Sequence, residues 1–243
     1  MKDPTAFAAL QEAVNRNRSI VFFGGAGVST ESGIPDFRST DGLYRQKWPY
    51  PPETILSHSF FEAHPALFFA FYREKMIHPA AQPNPAHDKL AAMEQAGRLR
   101  AVITQNIDGL HQAAGSREVL ELHGSVHRNH CTRCRRSYTL DELLALPGEI
   151  PRCACGGIVK PDVVLYEEPL DEAVLARSIR HLEQADMLII GGTSLGVYPA
   201  AGLIRYFGGR DLIVINRDPT PADQHATLVL QGNIGDVLGA LKV

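Results

Sequence analysis

Short apolar runs rich in β-branched residues alternate along the chain with segments that carry helix signals. Six runs predict strands, at residues 19–23, 100–104, 118–122, 186–190, 211–215 and 226–230. Asn84 before Pro85 predicts a helix start, Gly97 suits its end, and further helices are expected after Asp3 and from Pro199. This alternation predicts an α/β fold with a doubly wound, Rossmann-like parallel sheet covered by helices on both faces.

Two segments break the alternation. Residues 29–58 are polar and rich in Pro and Gly, which favours a long functional loop, here interpreted as a lid. Residues 59–77 predict an aromatic-rich helix, with a kink at Pro65, that packs beneath this loop. Residues 128–157 form a second insertion around the cysteines.

Composition and charge exclude some classes of protein. The 243 residues are 44% hydrophobic, enough for one substantial core and a small second domain. A formal charge of -3 and a pI near 6.4 disfavour direct nucleic-acid binding, which needs a basic excess. No apolar run approaches the width of a bilayer, and the N-terminus lacks a signal-peptide pattern. We therefore expect a cytoplasmic protein without membrane contact.

The cysteines form a C-x-x-C pair followed by a C-x-C pair that is narrower than usual ribbon spacing. They are Cys131, Cys134, Cys153 and Cys155. In a reducing compartment, four clustered thiolates favour a closed structural zinc site over disulfides or ordinary buried cysteines. His127 and His130 are close enough in sequence to be substitute ligands, which is the minor interpretation.

These features predict two domains. The Rossmann-like domain is discontinuous and comprises residues 1–40, 85–127 and 157–243. A smaller inserted domain, helical and zinc-ribbon in character, comprises residues 41–84 and 128–156. It combines the helical lid segment with the four-cysteine module.

Small or hydrogen-bonding residues follow five of the predicted strands. The segments are GGAGVSTESG, QNIDGLH, HGSVH, GGTSLG and NRD. Each alone has an explanation as a turn, because Gly, Ser, Asn and Asp are common in turns. However, open α/β sheets bind ligands at the carboxyl ends of their strands, so the five segments together favour a ligand cleft.

The first segment resembles a dinucleotide-binding loop but departs from its usual sequence. Gly25 and Gly27 supply G-x-G, whereas Thr30 stands where the third glycine would be. The glycines still allow backbone amides to approach a pyrophosphate. Gly192 lies in a second such loop, and Asn216 ends a strand where doubly wound folds bind adenosine. The pattern predicts a bound dinucleotide without the usual layout for hydride transfer.

His123 follows a predicted strand at the same edge as Asn106 and Asp108. A lone histidine after a strand is more often structural than catalytic. Imidazole, however, has an unperturbed pKa suited to proton removal near neutral pH. The amide and the carboxylate expected beside it favour a catalytic group in this case.

Taken in order, the motifs resemble the sirtuins, NAD-dependent protein lysine deacylases. The motifs are GAGVSTESGIPDFR, TQNIDGLH, ELHGSVH, the cysteine pairs, KPDVVLYEE, GGTSLGVYPA and IVINRDPT, between residues 19 and 236. The resemblance implies NAD as co-substrate and one structural zinc ion. The implied NAD-binding residues are Gly25, Ala26, Gly27, Thr30, Phe37, Arg38, Gln105, Asn106, Ile107, Asp108, His123, Gly192, Thr193, Ser194, Asn216 and Arg217.

The resemblance also implies a reaction. The catalytic residues would be Asn106, Asp108 and His123, with Asp108 binding the nicotinamide carboxamide and His123 as general base. Nicotinamide leaves, the acyl-lysine oxygen captures the anomeric carbon, and Phe37 shields that carbon from water. The products would be free lysine, nicotinamide and O-acyl-ADP-ribose.

The implied partners are acyl-lysine proteins or peptides. The segments VVLYEE and GVYPA are expected to be edge strands between which an extended peptide pairs through its backbone. The implied substrate residues are Val163, Tyr166, Val197 and Tyr198.

Besides the narrow C-x-C pair, two segments depart from the family pattern. Tyr166, Glu167 and Glu168 stand where Phe-Gly-Glu is common; we expect the additional acid to face solvent, the alternative being that it favours basic residues near the target lysine. Tyr72 and Lys75 stand where succinyl-preferring members carry Tyr and Arg. Because lysine lacks the forked geometry of arginine, we predict short neutral acyl groups over succinyl.

Two other functions remain open. In a mono-ADP-ribosyltransferase, a protein nucleophile would capture the same sugar carbon; the His123 motif and the expected edge strands disfavour it. A non-catalytic NAD-sensing zinc scaffold would keep the glycine loops but would not need His123 beside Asp108.

Overall fold

The computed structural model describes residues 4–37, 42 and 48–243, and its strands form two sheets. The strands are β1 (Ile20–Gly24), β2 (Leu99–Thr104), β3 (Val119–Glu121), β4 (Gly124–Cys131), β5 (Ser137–Thr139), β6 (Val159–Val163), β7 (Met187–Gly191), β8 (Asp211–Asn216) and β9 (Leu228–Gln231). Six of them form a parallel sheet in the order β3-β2-β1-β7-β8-β9, and β5-β4-β6 form a small antiparallel sheet. The strand order reverses between β1 and β7, as in a doubly wound Rossmann-like fold.

All six strands predicted from apolar runs are present in the parallel sheet, with ends shifted by a residue or two. Every residue of β1 and β7 is buried, because helices cover both faces of the sheet. Successive residues of β1 point to opposite faces, so that Phe22 and Phe23 belong to different hydrophobic clusters. These two clusters form the core around the parallel sheet.

The described residues contain nine α-helices, and the two that begin at Pro4 and Pro85 start where the sequence predicts. They are α1 (Pro4–Arg16), α2 (Pro52–Ile55), α3 (His58–Ala63), α4 (Pro65–Phe71), α5 (Pro85–Gln95), α6 (Leu110–Ala113), α7 (Leu140–Ala145), α8 (Glu172–Glu183) and α9 (Ile234–Gly239). The Asn84 side chain accepts a hydrogen bond from Ala86 N at the start of α5. Gly97, with a φ of 72°, follows the end of α5. Asp3 lies outside the described residues.

Two helix predictions need correction. The single helix expected over 59–77 is α3, α4 and a π-helical turn at Tyr72–Met76; the first break falls at His64 because Pro65 starts a new helix rather than kinking a continuous one. The segment after Pro199 is a 3₁₀ helix, Ala200–Tyr206, rather than an α-helix. The predicted loop at 29–58 contains short helical turns and α2, and residues 38–41 and 43–47 of it lie outside the described part.

The two expected edge strands for peptide pairing are also wrong in part. β6 ends at Val163, and beyond it Tyr166 makes an isolated parallel bridge with Ser57. Residues 196–200 form no strand; they turn through a cis Tyr198–Pro199 bond into the 3₁₀ helix. Pro199 has no N–H group and therefore cannot donate a hydrogen bond to a strand partner.

The two insertions share one hydrophobic core. Phenylalanines of α3 and α4 pack on one another edge to face, with ring centroids of Phe61 and Phe68 5.0 Å apart. The same cluster includes Cys131, Tyr138 and Leu143 of the second insertion. The helical segment and the cysteine module therefore pack together beside the parallel sheet. No helix in the described part of the chain is long and apolar enough to span a membrane.

Candidate active site and metal site

The carboxyl ends of the parallel strands open into one cleft of about 380 Å³. Every NAD-binding and substrate residue predicted from the sequence lines it except Arg38, which lies outside the described residues. The predicted residues in its lining are Gly25, Ala26, Gly27, Thr30, Phe37, Gln105, Asn106, Ile107, Asp108, His123, Gly192, Thr193, Ser194, Asn216, Arg217, Val163, Tyr166, Val197 and Tyr198. The fold thus brings the five segments that follow predicted strands to one edge of the sheet, and the end of β6 adds Val163 and Tyr166.

The two glycine loops lie backbone against backbone. Gly27 N donates a hydrogen bond to Gly192 O at 2.8 Å. A Cβ on Gly27 would lie 2.8 Å from Gly192 Cα, closer than side-chain carbons approach backbone atoms. Gly192 has a φ of 58°, which glycine adopts without strain. Both positions therefore require glycine, and the contact leaves bare backbone at the floor of the cleft.

Ser29 joins the two polar residues that follow β2. Its hydroxyl donates to Asp108 Oδ2 at 2.6 Å and accepts from Asn106 Nδ2 at 3.0 Å. The other carboxylate oxygen of Asp108 accepts from Leu110 N at 2.9 Å. Ser29 is only 1% exposed, so this network is fixed in the wall of the cleft. The sequence predicts that Ser29 or Thr30 donates its hydroxyl to a pyrophosphate, whereas in the structure the Ser29 hydroxyl donates to Asp108.

Side-chain hydrogen bonds and an ion pair connect the loops that follow different strands of the parallel sheet. Gln105 Nε2 donates to Thr193 Oγ1 at 3.1 Å, which connects the end of β2 to the loop after β7. At the β8 end, Arg217 forms an ion pair with Asp36 at 3.1 Å. Asn216 Nδ2 donates to the carbonyl of Asp218 at 2.8 Å. These contacts hold the predicted adenosine end of the cleft in place.

His123 lies in the cleft with one ring nitrogen already engaged. Its Nδ1 is 3.1 Å from the backbone carbonyl of Gln105. A carbonyl oxygen only accepts hydrogen bonds, so Nδ1 carries the proton and Nε2 keeps its lone pair. Burial lowers the pKa of His123 below its ordinary value, and the hydrogen bond to Gln105 opposes this in part. The ring is therefore neutral at neutral pH and can accept a proton.

The four cysteines form a second site, in the small sheet. Their sulfur atoms all lie within 4.8 Å of one another, and no disulfide links them. Cys131 Sγ is 3.4 Å from Cys155 Sγ, and Cys134 Sγ is 3.6 Å from Cys153 Sγ. A tetrahedral site with Zn–S bonds of about 2.3 Å needs sulfurs roughly 3.8 Å apart. The cluster therefore fits one structural zinc ion, and the narrow C-x-C spacing is no obstacle.

The interpretation of nearby histidines as substitute zinc ligands is wrong. His127 Nε2 donates to the carbonyl of Asp108 at 2.9 Å. His130 Nδ1 pairs with the carboxylate of Asp162. Both rings are thus engaged away from the sulfur cluster, and backbone N–H groups of Arg133 and Cys134 point to Cys131 Sγ instead.

The chain is similar over almost its whole length to proteins of one family. A model of the Sir2 family matches residues 25–199. An NAD-dependent protein deacetylase of Clostridium acetobutylicum is 58% identical, with 94% of this chain and 95% of that protein covered. The solved complex of Sir2 with a p53 peptide and NAD+ is 38% identical with a TM-score of 0.85, covering 95% of this chain and 94% of that chain. A Sir2 structure bound to a propionylated peptide is 36% identical with a TM-score of 0.86, covering 98% and 96%.

Proposed function

The chain belongs to the Sir2 family, the sirtuins, and on that premise we propose that it is an NAD-dependent protein lysine deacetylase that also removes other short neutral acyl groups. The products would be free lysine, nicotinamide and O-acyl-ADP-ribose. One observation carries the proposal: His123 and the network of Ser29, Asn106 and Asp108 line the same cleft as the two glycine loops.

Asp108 and Asn106 are proposed to bind and orient the nicotinamide end of NAD. When bound, NAD supplies an electrophilic sugar carbon as nicotinamide leaves. Ser29 and Leu110 N hold the Asp108 carboxylate in one orientation, so that it binds without having to reorganise. The bare backbone at Gly27 and Gly192 would accommodate the pyrophosphate, and Asn216 and Arg217 the adenosine half.

His123 is proposed to act as the general base. Its neutral ring, with the proton fixed on Nδ1 by the Gln105 carbonyl, leaves Nε2 to take a proton from a ribose hydroxyl of the bound co-substrate. Phe37 and Ile107 pack against the aromatic core of the small sheet and line the cleft, where their apolar side chains would keep water from the reacting carbon.

The peptide is proposed to lie between Val163 and Tyr166 on one rim and Val197 and Tyr198 on the other. All four residues line the cleft, and both tyrosines are exposed. Val163 stands at the end of β6 as an apolar wall for the acyl-lysine side chain. Peptide backbone pairing at these rims would give broad sequence acceptance.

We propose that short neutral acyl groups are preferred over succinyl. The Tyr72 side chain is buried in the aromatic core and does not line the cleft. Its hydroxyl has no hydrogen-bond partner among the described residues. Lys75 lines the cleft but pairs with Glu74 at 2.9 Å. A succinyl carboxylate would therefore have to compete with Glu74 for the ammonium group. The relative bound to a propionylated peptide supports acceptance of acyl groups beyond acetyl.

The test is to incubate the protein with NAD and acetyl-, propionyl-, lactyl- and succinyl-lysine versions of one peptide, and to identify the products by mass spectrometry. We expect deacylation of the three neutral groups with matching O-acyl-ADP-ribose. Equal or faster turnover of the succinyl peptide would overturn the acyl preference. Transfer of ADP-ribose to the peptide without deacylation would favour the ADP-ribosyltransferase instead.

The domain boundaries and the cellular location given by the sequence are also proposals. The shared core of the helical segment and the small sheet supports a second domain built from both insertions. Four free thiols arranged for zinc support a reducing compartment such as the cytoplasm.

A further inference from the structure

Glu167 occupies an unusual place at the rim of the cleft. Its φ of 75° lies in the left-handed region that residues other than glycine rarely adopt. The flanking backbone is fastened to the start of α3: Tyr166 N donates to Leu56 O, and His58 N donates to Tyr166 O, both at 2.9 Å. The Glu167 carboxylate accepts from Ser59 N at 2.9 Å and from Ser59 Oγ at 3.0 Å. The side chain is exposed, as the sequence predicted for the additional acid, but it is held in one position.

The Glu167 carboxylate has no cationic partner among the described residues, unlike the charged groups near it. Glu168 accepts from Lys160 Nζ at 3.1 Å and lies 2.8 Å from His58 Nδ1. Lys75, which also lines the cleft, forms an ion pair with Glu74. The donors to Glu167 are a backbone N–H and a hydroxyl, which leave its charge in place. A fixed, uncompensated carboxylate therefore stands at the cleft where the peptide is proposed to lie.

We propose that Glu167 is a specificity-determining residue that favours substrates with Lys or Arg close to the acylated lysine. The inference rests on the proposed function, since the peptide must lie in this cleft. An oriented carboxylate attracts a peptide cation without first losing side-chain freedom, because Ser59 already holds it. A purely structural role, in which Glu167 fastens residues 166–168 to α3, would need the hydrogen bonds but not the charge.

The experiment separates charge from shape. Two series of acetyl-lysine peptides are used, one varied on each side of the acetyl-lysine. Within a series, the peptides differ only by Arg, Ala or Glu at that flanking position. Their kcat/KM values are compared at low ionic strength. At the flanking position nearest Glu167, we expect kcat/KM for the Arg peptide to be about threefold higher than for the Ala peptide, as for an exposed ion pair. The Glu peptide should have a lower kcat/KM than the Ala peptide. High salt should reduce both differences.

Glu167→Gln keeps the size of the side chain and an oxygen that can accept from Ser59 N, but removes the charge. In this variant we expect the Arg-to-Ala ratio to approach one. Glu167→Gly, which also relieves the positive φ, should lose the preference in the same way. Glu62→Gln is the matched control: Glu62 lies on α3 with its side chain 68% exposed and does not line the cleft, so the wild-type ratio should persist.

Three results would overturn the inference: equal kcat/KM for Arg and Ala peptides in the wild type, a preference retained in Glu167→Gln, or an equal loss in Glu62→Gln. Failure of the proposed function is distinct from these, because the wild-type protein would then leave the Ala peptide acetylated.

Discussion

A single hydroxyl, that of Ser29, connects the two residues on which nicotinamide binding is proposed to depend. Ser29→Ala would remove the hydrogen bonds to Asp108 and Asn106 and leave the Asp108 carboxylate held by Leu110 N alone. A hydrogen bond to a charged group contributes about 1.5–3 kcal/mol, so we expect kcat/KM for NAD to fall about 10- to 100-fold. The measurement is the rate of nicotinamide release with an acetylated peptide.

Ser137→Ala is a matched control for Ser29→Ala, since it removes an exposed hydroxyl in β5, away from the cleft. It should leave kcat/KM as in the wild type. Wild-type activity in Ser29→Ala would show that the orientation of Asp108 does not limit the reaction.

The pH dependence of the reaction should report on His123. Burial is the main cause of its lowered pKa, so the midpoint of ring protonation lies below the ordinary value of 6.5. A general base must be neutral, and therefore kcat/KM should stay level through neutral pH and decline at a pH below 6.5. The profile is measured by deacetylation at fixed ionic strength. A decline centred above 6.5 would mean that another group limits the rate.

At the residue scale, the sequence predicts which residues line the cleft but not how they are connected. Asn106, Asp108 and His123 are recognisable because each follows a buried strand. The partners of Ser29 lie 77 and 79 positions away in the chain, and nothing local to Ser29 indicates them. Glu167 is similar: its partner Ser59 becomes a neighbour only after the helical segment has packed against the loop that follows β6.

At the scale of elements, buried parallel strands were predictable because they are continuous apolar runs bounded by loops. The helix over 59–77 was wrong because its pattern of aromatic residues is compatible with one helix or several, and the structure breaks it at Pro65. The peptide-pairing strands were wrong because a strand depends on a partner, which residues 196–200 do not have among the described residues.

The cysteine module should depend on its metal. Cys153→Ser replaces one buried thiolate of the cluster by a weak ligand, so we expect the bound zinc to fall from about one per chain toward none. The melting temperature should fall as well, because binding free energy at a structural site contributes to folding. Zinc is measured by mass spectrometry of the purified protein and by release to a coloured chelator.

Thr132→Ala, an exposed change between two of the cysteines, is the control and should keep full zinc. Full zinc content in Cys153→Ser would contradict a four-thiolate site and would require another ligand.

At the scale of the whole molecule, residues from both the parallel sheet and the small sheet line the cleft. The parallel sheet contributes the glycine loops and the segments after β2 and β8, whereas β6 and the loop after it contribute Val163 and Tyr166. The aromatic core beneath Phe37 and Ile107 joins both insertions to this cleft. In the proposed function, NAD would bind in this cleft beside an extended peptide, as a deacylation that consumes NAD requires.

The most direct measurement is a product balance by mass spectrometry after incubation with NAD and an acetyl-lysine peptide, for the wild type and for His123→Ala. We expect equal amounts of deacetylated peptide, nicotinamide and O-acetyl-ADP-ribose from the wild type, no deacetylation without NAD, and loss of deacetylated peptide in His123→Ala. Deacetylated peptide formed by His123→Ala at the wild-type rate, or intact NAD after complete deacetylation, would contradict the proposed mechanism.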